Sequence, residues 1–197
     1  MGWSAVRVQE ALLGLSTIRT ARFLLRPFER RDAAAFAYSV RESAAADDPW
    51  LSWGSEAYSE QDARHWFRAA ADSREAGASS EFGIFSAADT AFLGGVGLSR
   101  IDPQNRVASL GYWVRPTQRC RGVAYECAQA LVGHAFAVLG LQRVEIVVAV
   151  GNDPSVGVAR KMGAHLECVA QNRLRIRGRP AAAYIFALIP RPSEPQP

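Results

Sequence analysis

Cysteine is scarce in this chain, with three residues in 197, an odd number. So few thiols in a chain of this size do not form a disulfide framework, so a reducing compartment, the cytoplasm, is expected. Histidine is equally scarce, and its three residues lack the spacing of metal ligands, so no metal is expected. The N-terminal apolar run at residues 11–15 is too short to span a membrane, and Gln9 and Glu10 before it argue against a signal peptide.

The composition indicates one domain. A chain of 197 residues that is 49% hydrophobic can bury one good core. We expect this domain over residues 21–190, after a loose or weakly helical extension at residues 1–20 and before a disordered tail at residues 191–197. The net charge of +4 suits phosphate-bearing ligands or acidic partners and is too weak to argue for nucleic acid.

Hydrophobic periodicity predicts the element order β α α β β β α β α β β between residues 21 and 189. Turn residues at 88–90 and 102–106 predict an antiparallel meander in the first half. Residues 143–150 are apolar and β-branched, which is typical of a buried parallel strand. These patterns predict an α/β (α+β) fold, with one mixed sheet and helices on both faces.

Residues 109–139 read as a strand, a basic loop and a helix. The first turn of a helix has backbone N–H groups without partners inside the helix, so it attracts anions. Gly122 would let a phosphate approach the backbone, and Arg119 and Arg121 add positive charge. This chemistry favours an anion site slightly over a plain strand-to-helix turn that needed one glycine.

Four short motifs follow one another on the expected elements: Leu24-Leu25-Arg26-Pro27, Leu110-Gly111-Tyr112-Trp113 with Pro116, Arg119-x-x-Gly122-x-Ala124, and Asn152-x-x-Ser155 with Lys161-Met162-Gly163. In this order they resemble the GNAT superfamily of N-acetyltransferases, in its RimJ/RimL-like branch. The resemblance covers roughly residues 21–189, which is nearly the whole chain.

The resemblance implies the GNAT fold: a mostly antiparallel sheet of about seven strands with a splay between strands 4 and 5. It implies an enzyme that moves acetyl from the co-substrate acetyl-CoA to a primary amine by direct attack in a ternary complex. Ser155 would protonate the departing sulfur. The residues implied to hold coenzyme A are Trp113, Val114, Arg119, Arg121, Gly122, Val123, Ala124, Asn152 and Ser155.

The general base does not follow from the family pattern. Ser109 stands where relatives often carry glutamate, and Leu174 and Ala182 stand where some RimL-like enzymes carry acids. Glu167 is our candidate base. The alternatives are a water chain and the acids Asp47, Asp48, Glu56 and Glu145.

Acceptor binding is assigned to Trp50, Trp53 and Tyr112, because loops carry binding residues and aromatic rings offer a large contact area. The tryptophans could equally cover the core, and Tyr112 could be a packed aromatic. The resemblance implies a protein N-terminal α-amine as acceptor, with a small-molecule amine as the alternative, and it makes a homodimer an expectation. A non-catalytic acyl-CoA- or protein-binding module of the same fold is the rival function.

Two further features each have two interpretations. Cys120, in the basic loop, is either a reactive thiolate or a residue that contributes only its backbone. The alternating row Arg173, Arg175, Arg177 and Arg179 could share one face of a strand and attract an acidic tail or the 3′-phosphate of coenzyme A. It could equally block pairing at a sheet edge.

Overall fold

The computed structural model of the chain describes residues 5–46, 48–51 and 53–190. These residues form five α-helices and eight strands, joined in part by two short 3-10 turns, Arg30–Asp32 and Pro116–Gln118. The helices are α1 (Ala5–Gly14), α2 (Ala33–Ala45), α3 (Glu60–Glu75), α4 (Val123–Ala137) and α5 (Asp153–Lys161). The strands are β1 (Ile18–Arg19), β2 (Phe23–Arg26), β3 (Ser80–Ser86), β4 (Phe92–Asp102), β5 (Val107–Val114), β6 (Arg143–Ala149), β7 (His165–Ile176) and β8 (Arg179–Leu188).

The strands form a single sheet in the order β1-β2-β3-β4-β5-β6-β8-β7. Neighbours are antiparallel except β5 and β6, which run parallel because α4 connects them. The predicted mixed sheet is therefore confirmed, and so is the buried parallel strand. The sheet has one strand more than the expected seven, because the two-residue β1 is too short to leave a periodic signal.

Helices cover both faces of the sheet. Side chains alternate along each strand, so Ile84 enters one apolar cluster and its neighbour Phe85 enters the other. The larger cluster, on the first face, takes side chains from α1, α4 and α5, whereas the cluster on the second face takes them from α2 and α3. The two clefts described below lie against these two faces.

The N-terminal segment contains a helix, one of the two forms that the sequence predicted for the extension, but it is not loose. The α1 side chains Val8 and Leu12, together with Leu15 just after the helix, are buried in the larger cluster. Residues 5–20 therefore pack as part of the fold. The predicted tail at residues 191–197 lies outside the described residues. None of the helices in the described ranges combines the length and apolarity needed to cross a membrane.

A buried ion pair fixes the start of α2 against the sheet. Arg26 of β2 donates from Nη1 and Nη2 to the two oxygens of Asp32, at 2.7 and 2.8 Å. The side chain of Asp32 is 7% exposed and that of Arg26 is 16% exposed. Asp32 also accepts from the backbone N–H of Glu29, so its carboxylate closes the turn that leads into α2.

The arginine row does not share one strand face as its alternation predicted. Arg173 and Arg175 lie on the edge strand β7, Arg177 has a φ of 47° in the turn, and Arg179 begins β8. The turn reverses the chain between the second and fourth arginine. Arg175 is also engaged locally, because it donates to the carbonyl of Gly178 at 2.8 Å.

Candidate active site

The central feature of the site is a gap between the two parallel strands. Residues 107–109 of β5 pair with residues 143–145 of β6, and the pairing then stops although β5 continues to Val114 and β6 to Ala149. The other edges of both strands stay paired, with β4 and β8 respectively. The strands therefore diverge as the family resemblance implied, and the backbone edge of β5 faces the gap without a strand partner.

Tyr112 bridges this gap. Its hydroxyl lies 3.0 Å from Oγ of Ser155 and donates to the Ser155 carbonyl at 3.2 Å. Asn152 caps α5, because its Oδ1 accepts from the Ser155 N–H at 3.2 Å. Burial raises the pKa of Tyr112, and the hydrogen bond with Ser155 offsets part of the rise. The predicted Ser155 therefore has a hydroxyl partner that the sequence had assigned to acceptor binding.

The start of α4 has the form of an anion site. Gly122 precedes the helix with a φ of 78° and offers no side-chain cap, whereas α3 and α5 are capped by Ser59 and Asn152. The Glu126 N–H makes a helical bond to the carbonyl of Gly122 at 3.0 Å. The N–H groups before Glu126 are the ones a helix leaves without internal partners.

Arg22 stands beside this helix start, and sequence reasoning missed it. Its Nε and Nη2 contact Oε2 of Glu126 at 2.8 and 2.7 Å, and its Nη1 donates to the carbonyl of Arg121 at 3.0 Å. A Cβ at Gly122 would lie 3.1 Å from Nη2 of Arg22. The cleft here has a volume of about 520 Å³ and is lined by Ala21, Arg22, Phe23, Ser86, Ala87, Ala88, Gln118, Arg121 and Val123.

Arg119 of the basic loop contacts a neighbouring loop and the end of β5. It forms an ion pair with Asp48 of the loop between α2 and α3, and its Nε donates to the carbonyl of Val114 at 3.2 Å. It therefore joins the end of β5 to that loop and does not line the basic cleft. Asp48, a candidate base, is the partner in this ion pair. Cys120 is exposed, with a φ of 59°.

A second cleft, of about 500 Å³, opens on the other face of the sheet. Trp50 and Trp53 line it, together with Trp113 of β5. Trp50 also reaches toward the turn after β6, because its Cη2 would lie 3.8 Å from a Cβ at Gly151. The complete lining is Phe28, Trp50, Leu51, Trp53, Tyr58, Trp66, Glu81, Phe82, Gly95, Val96, Gly111, Tyr112 and Trp113.

Glu81 is the acidic residue of this second cleft, and sequence reasoning missed it too. Glu81 of β3 pairs with Gly97 of β4, which pairs in turn with Gly111 of β5. The carboxylate lies over Gly97, because a Cβ there would be 2.0 Å from Oε2 of Glu81. Burial raises the pKa of Glu81 to about 7. Within the described part of the chain, no hydrogen bond or ion pair engages this carboxylate.

Glu167, the base proposed from the sequence, is ion-paired with Arg143. Arg143 Nη1 donates to Glu167 Oε1 at 2.7 Å, and this bond lowers the pKa of Glu167. Arg143 lies opposite Val107, which is about 16 Å along β5 from Tyr112, so the ion pair with Glu167 is at the closed end of the gap. A carboxylate of lowered pKa is a weak proton acceptor, so this geometry does not favour Glu167 as the base.

The remaining acids do not line the second cleft either. Glu145 forms an ion pair with the same Arg143 that binds Glu167, at 2.9 Å between its Oε1 and Nη2 of Arg143. Glu56 is exposed. Asp47 lies outside the described residues. Among the described residues, no group of three or more histidine, cysteine, aspartate or glutamate side chains could hold a metal ion. In the part of the chain that the structure describes, Glu81 is therefore the acidic side chain that lines the second cleft.

Comparison with known proteins identifies the same kind of domain. The profile of the acetyltransferase (GNAT) domain matches residues 22–165. The Escherichia coli ribosomal-protein-serine acetyltransferase is 30% identical over 122 residues, which are 61% of this chain and 67% of that protein. A Bacillus subtilis protein assigned as the ribosomal N-acetyltransferase YdaF is 31% identical over 103 residues, 52% of this chain and 56% of the relative. The matched stretches thus span between about half and two thirds of these relatives.

Solved structures share the whole fold. A Vibrio cholerae protein assigned as a ribosomal-protein-serine acetyltransferase superposes with a TM-score of 0.78 at 30% identity, covering 88% of this chain and 97% of that one. RimL, a ribosomal L7/L12 α-N-protein acetyltransferase solved in complex with coenzyme A, gives a TM-score of 0.79 at 21% identity, over 88% of this chain and 98% of its own. At that identity the second likeness concerns the fold alone.

Proposed function

This chain belongs to the acetyltransferase (GNAT) domain family, as its resemblance to the RimJ/RimL-like branch predicted, and from that premise we propose that it is an acetyl-CoA-dependent N-acetyltransferase acting on a primary amine. The gap between β5 and β6 carries the proposal, because β5 leads from this gap into the basic loop before α4, and its residues 111–113 also line the aromatic second cleft. An acetyl group held in the gap would be open to an amine that enters from the second cleft.

The residues of the basic cleft fit the diphosphate of coenzyme A. The uncapped turn before Glu126 offers backbone N–H groups, and Arg22 and Arg121 bring two guanidinium groups to the same cleft. Gly122 supplies the positive φ and keeps a side chain away from Arg22. The unpaired edge of β5 offers the amide groups that an extended pantetheine arm can bond.

The same residues account for the chemistry. Acetyl-CoA supplies an activated acetyl group, so the protein has to position the amine, stabilise negative charge on the carbonyl oxygen and protonate the departing sulfur. A backbone N–H on the unpaired edge of β5 is a suitable donor to that oxygen. The hydroxyl pair of Tyr112 and Ser155 holds a proton beside the gap for the sulfur.

As acceptor we propose the N-terminal α-amine of a protein, which is supported by relatives named as ribosomal-protein acetyltransferases. The cytoplasm as the place of this activity is supported by the three cysteines, which are all free thiols. A homodimer stays a prediction from the family resemblance. A small-molecule amine stays the alternative acceptor.

Acetyl-CoA binding tests the first half of the proposal. Gly122→Glu puts bulk at a position with positive φ, 3.1 Å from Arg22, and adds negative charge at the anion site. We expect isothermal titration to show acetyl-CoA binding to the wild type, weakened at least about 100-fold in this variant. Gly133→Glu is the matched control, because it adds the same side chain to the exposed face of α4, where a Cβ meets nothing within 4 Å.

Turnover tests whether the protein catalyses acetyl transfer to an amine. Steady release of coenzyme A thiol over many turnovers, with a peptide that begins with serine, would distinguish an enzyme from a non-catalytic binding module of the same fold. Acetyl-CoA binding without turnover of any peptide or small amine would leave the binding module as the function. Absence of acetyl-CoA binding by the wild type would refute both.

A further inference from the structure

We infer that the cleft on the second face of the sheet takes the acceptor as an ammonium cation held by aromatic rings, and that the Glu81 carboxylate removes its proton. The inference rests on the proposed acetyl transfer. It adds the group that deprotonates the acceptor and the chemical class of acceptor that the cleft accommodates, a peptide N-terminus whose first side chain is uncharged.

Glu81, Gly97 and Gly111 lie side by side on β3, β4 and β5, and this arrangement lets the carboxylate extend toward β5. Its side chain extends from β3 across Gly97 of β4, which leaves it about 5 Å, one strand spacing, from β5. Gly111 has no side chain, and a Cβ there would meet nothing within 4 Å. An amine nitrogen above Gly111 would therefore lie between the carboxylate and the gap, within reach of Glu81 directly or through one water.

Aromatic rings surround the remaining sides of this position. Trp53 and Trp113 meet edge to face, with ring centroids 5.8 Å apart, and Trp50, Tyr58 and Trp66 complete the wall. Ring faces attract an ammonium group within about 6 Å, and the attraction grows when water is excluded. The cleft can therefore hold the acceptor in its protonated form before Glu81 takes the proton.

Among the described residues that line this cleft, Glu81 is the one with a charged side chain. Among the described lining residues, the other titratable groups are Tyr58 and Tyr112. Burial raises the pKa of each, so both phenols are neutral at neutral pH. Arg41 of α2 is engaged outside the lining, where it donates to the carbonyl of Tyr58 at 2.7 Å.

This charge pattern defines the acceptor. One carboxylate balances one ammonium group, and the lining offers neither a cation for an acidic side chain nor a second anion for a lysine side chain. Burying such a charge without a partner is unfavourable. Aromatic walls in a cleft of about 500 Å³ instead suit an uncharged first residue.

The proton transfers balance. The ammonium nitrogen gives one proton to Glu81, and its freed electron pair forms the C–N bond to the acetyl carbon. The C–S bond breaks with its electron pair on sulfur, and the second proton lost by nitrogen is matched by one that sulfur receives beside Tyr112 and Ser155. Glu81 then releases its proton to solvent, which restores the carboxylate.

The pH profile of kcat/KM tests the inference with a peptide that begins with serine. We expect a bell-shaped profile. The value of kcat/KM rises as Glu81 ionises near its pKa of about 7, and it falls as the α-ammonium group of the unbound peptide loses its proton near a pKa of about 8. Glu81→Gln, which keeps the shape of the side chain, should lower kcat/KM at least about 100-fold and leave a single rise near the amine pKa. Glu167→Gln should keep both limbs, because Arg143 already holds that carboxylate.

One measurement excludes general damage to the Glu81→Gln variant, and a second tests the acceptor class. The affinity for acetyl-CoA should stay within about twofold in Glu81→Gln, because the basic cleft lies on the other face. Peptides that begin with aspartate or lysine should have kcat/KM at least about tenfold below the serine peptide. The inference would be overturned if Glu81→Gln kept the bell-shaped profile and the kcat/KM of the wild type. Loss of the acid limb in Glu167→Gln instead, or equal kcat/KM for all three peptides, would also overturn it.

A binding experiment keeps this test separate from that of the proposed function. If the wild type turns over no peptide, the acetyl transfer fails, and titration of the serine peptide with a free or an acetylated N-terminus decides the inference alone. A preference of at least about tenfold for the free ammonium form, lost in Glu81→Gln, would support it. Equal affinities for the two peptides would refute it.

Discussion

Gly97→Ala probes the position of the Glu81 carboxylate without changing its chemistry. The added methyl would lie 2.0 Å from Oε2, 2.4 Å from Cδ and 2.8 Å from Oε1 of Glu81. Carbon and its neighbours normally pack at about 3.5–4.0 Å, so the carboxylate has to move by more than about 1 Å. Gly97 has no positive φ, so alanine fits the backbone of β4 and the whole effect falls on the Glu81 side chain.

The expected loss of activity follows from that movement. Removing a general base lowers the rate by about 10²–10⁴, or roughly 3–5 kcal/mol of transition-state stabilisation. A displacement of about 1 Å can by itself cost about 100-fold. We therefore expect kcat/KM to fall about 100-fold in Gly97→Ala. The free energy of unfolding should change by less than about 1 kcal/mol, because the end of a flexible side chain can swing aside.

Thiol-release kinetics and urea unfolding measure these two effects on the same sample. Gly133→Ala is the matched control, because it adds the same methyl to open space on the exposed face of α4, away from both clefts, so kcat/KM and the acid limb of the pH profile should be unchanged. The double variant with Glu81→Gln should be no slower than Glu81→Gln alone, since both changes remove one function. Wild-type kcat/KM in Gly97→Ala, or additive losses in the double variant, would refute the reasoning.

Two further predictions concern other parts of the fold. Arg22→Gln should weaken acetyl-CoA binding at least about tenfold by titration calorimetry, because it removes a cation and frees Glu126 beside the anion site; Arg173→Gln, on the edge strand β7, should leave the affinity unchanged. Arg26→Gln should lower the free energy of unfolding by about 3 kcal/mol in urea, because it strands the buried carboxylate of Asp32, and a loss below about 1 kcal/mol would contradict that role.

Local sequence predicted the cofactor side of the site better than the acceptor side. Gly122 and Arg121 lie in one short loop, and the chemistry of that loop can be read without knowing the rest of the fold. Arg22 could not be found this way, because it reaches the same loop from a residue 99 positions earlier in the chain. The family resemblance supplied the gap between β5 and β6, which no periodicity could reveal.

Glu81 escaped the sequence for a different physical reason. In the sequence it is an acidic residue at the start of a strand, which is common at a solvent-exposed edge. Its setting depends on the register that puts Gly97 and Gly111 beside it, and register is a property of strand pairing. Glu167 showed the converse, because the sequence offered it as a candidate base and only the structure shows that Arg143 engages it.

The contact between Arg119 and Asp48 has a thermodynamic consequence. Arg119 joins the end of β5 to the loop that carries Trp50 and Trp53, so the positions of that loop and of the cofactor gap are not independent. Any ligand that favours one arrangement of this pair changes the affinity for the ligand on the other face. Linkage requires the effect to be reciprocal and of equal size in both directions. The two substrates can thus influence each other's binding through one ion pair, in addition to the direct contact that acetyl transfer requires.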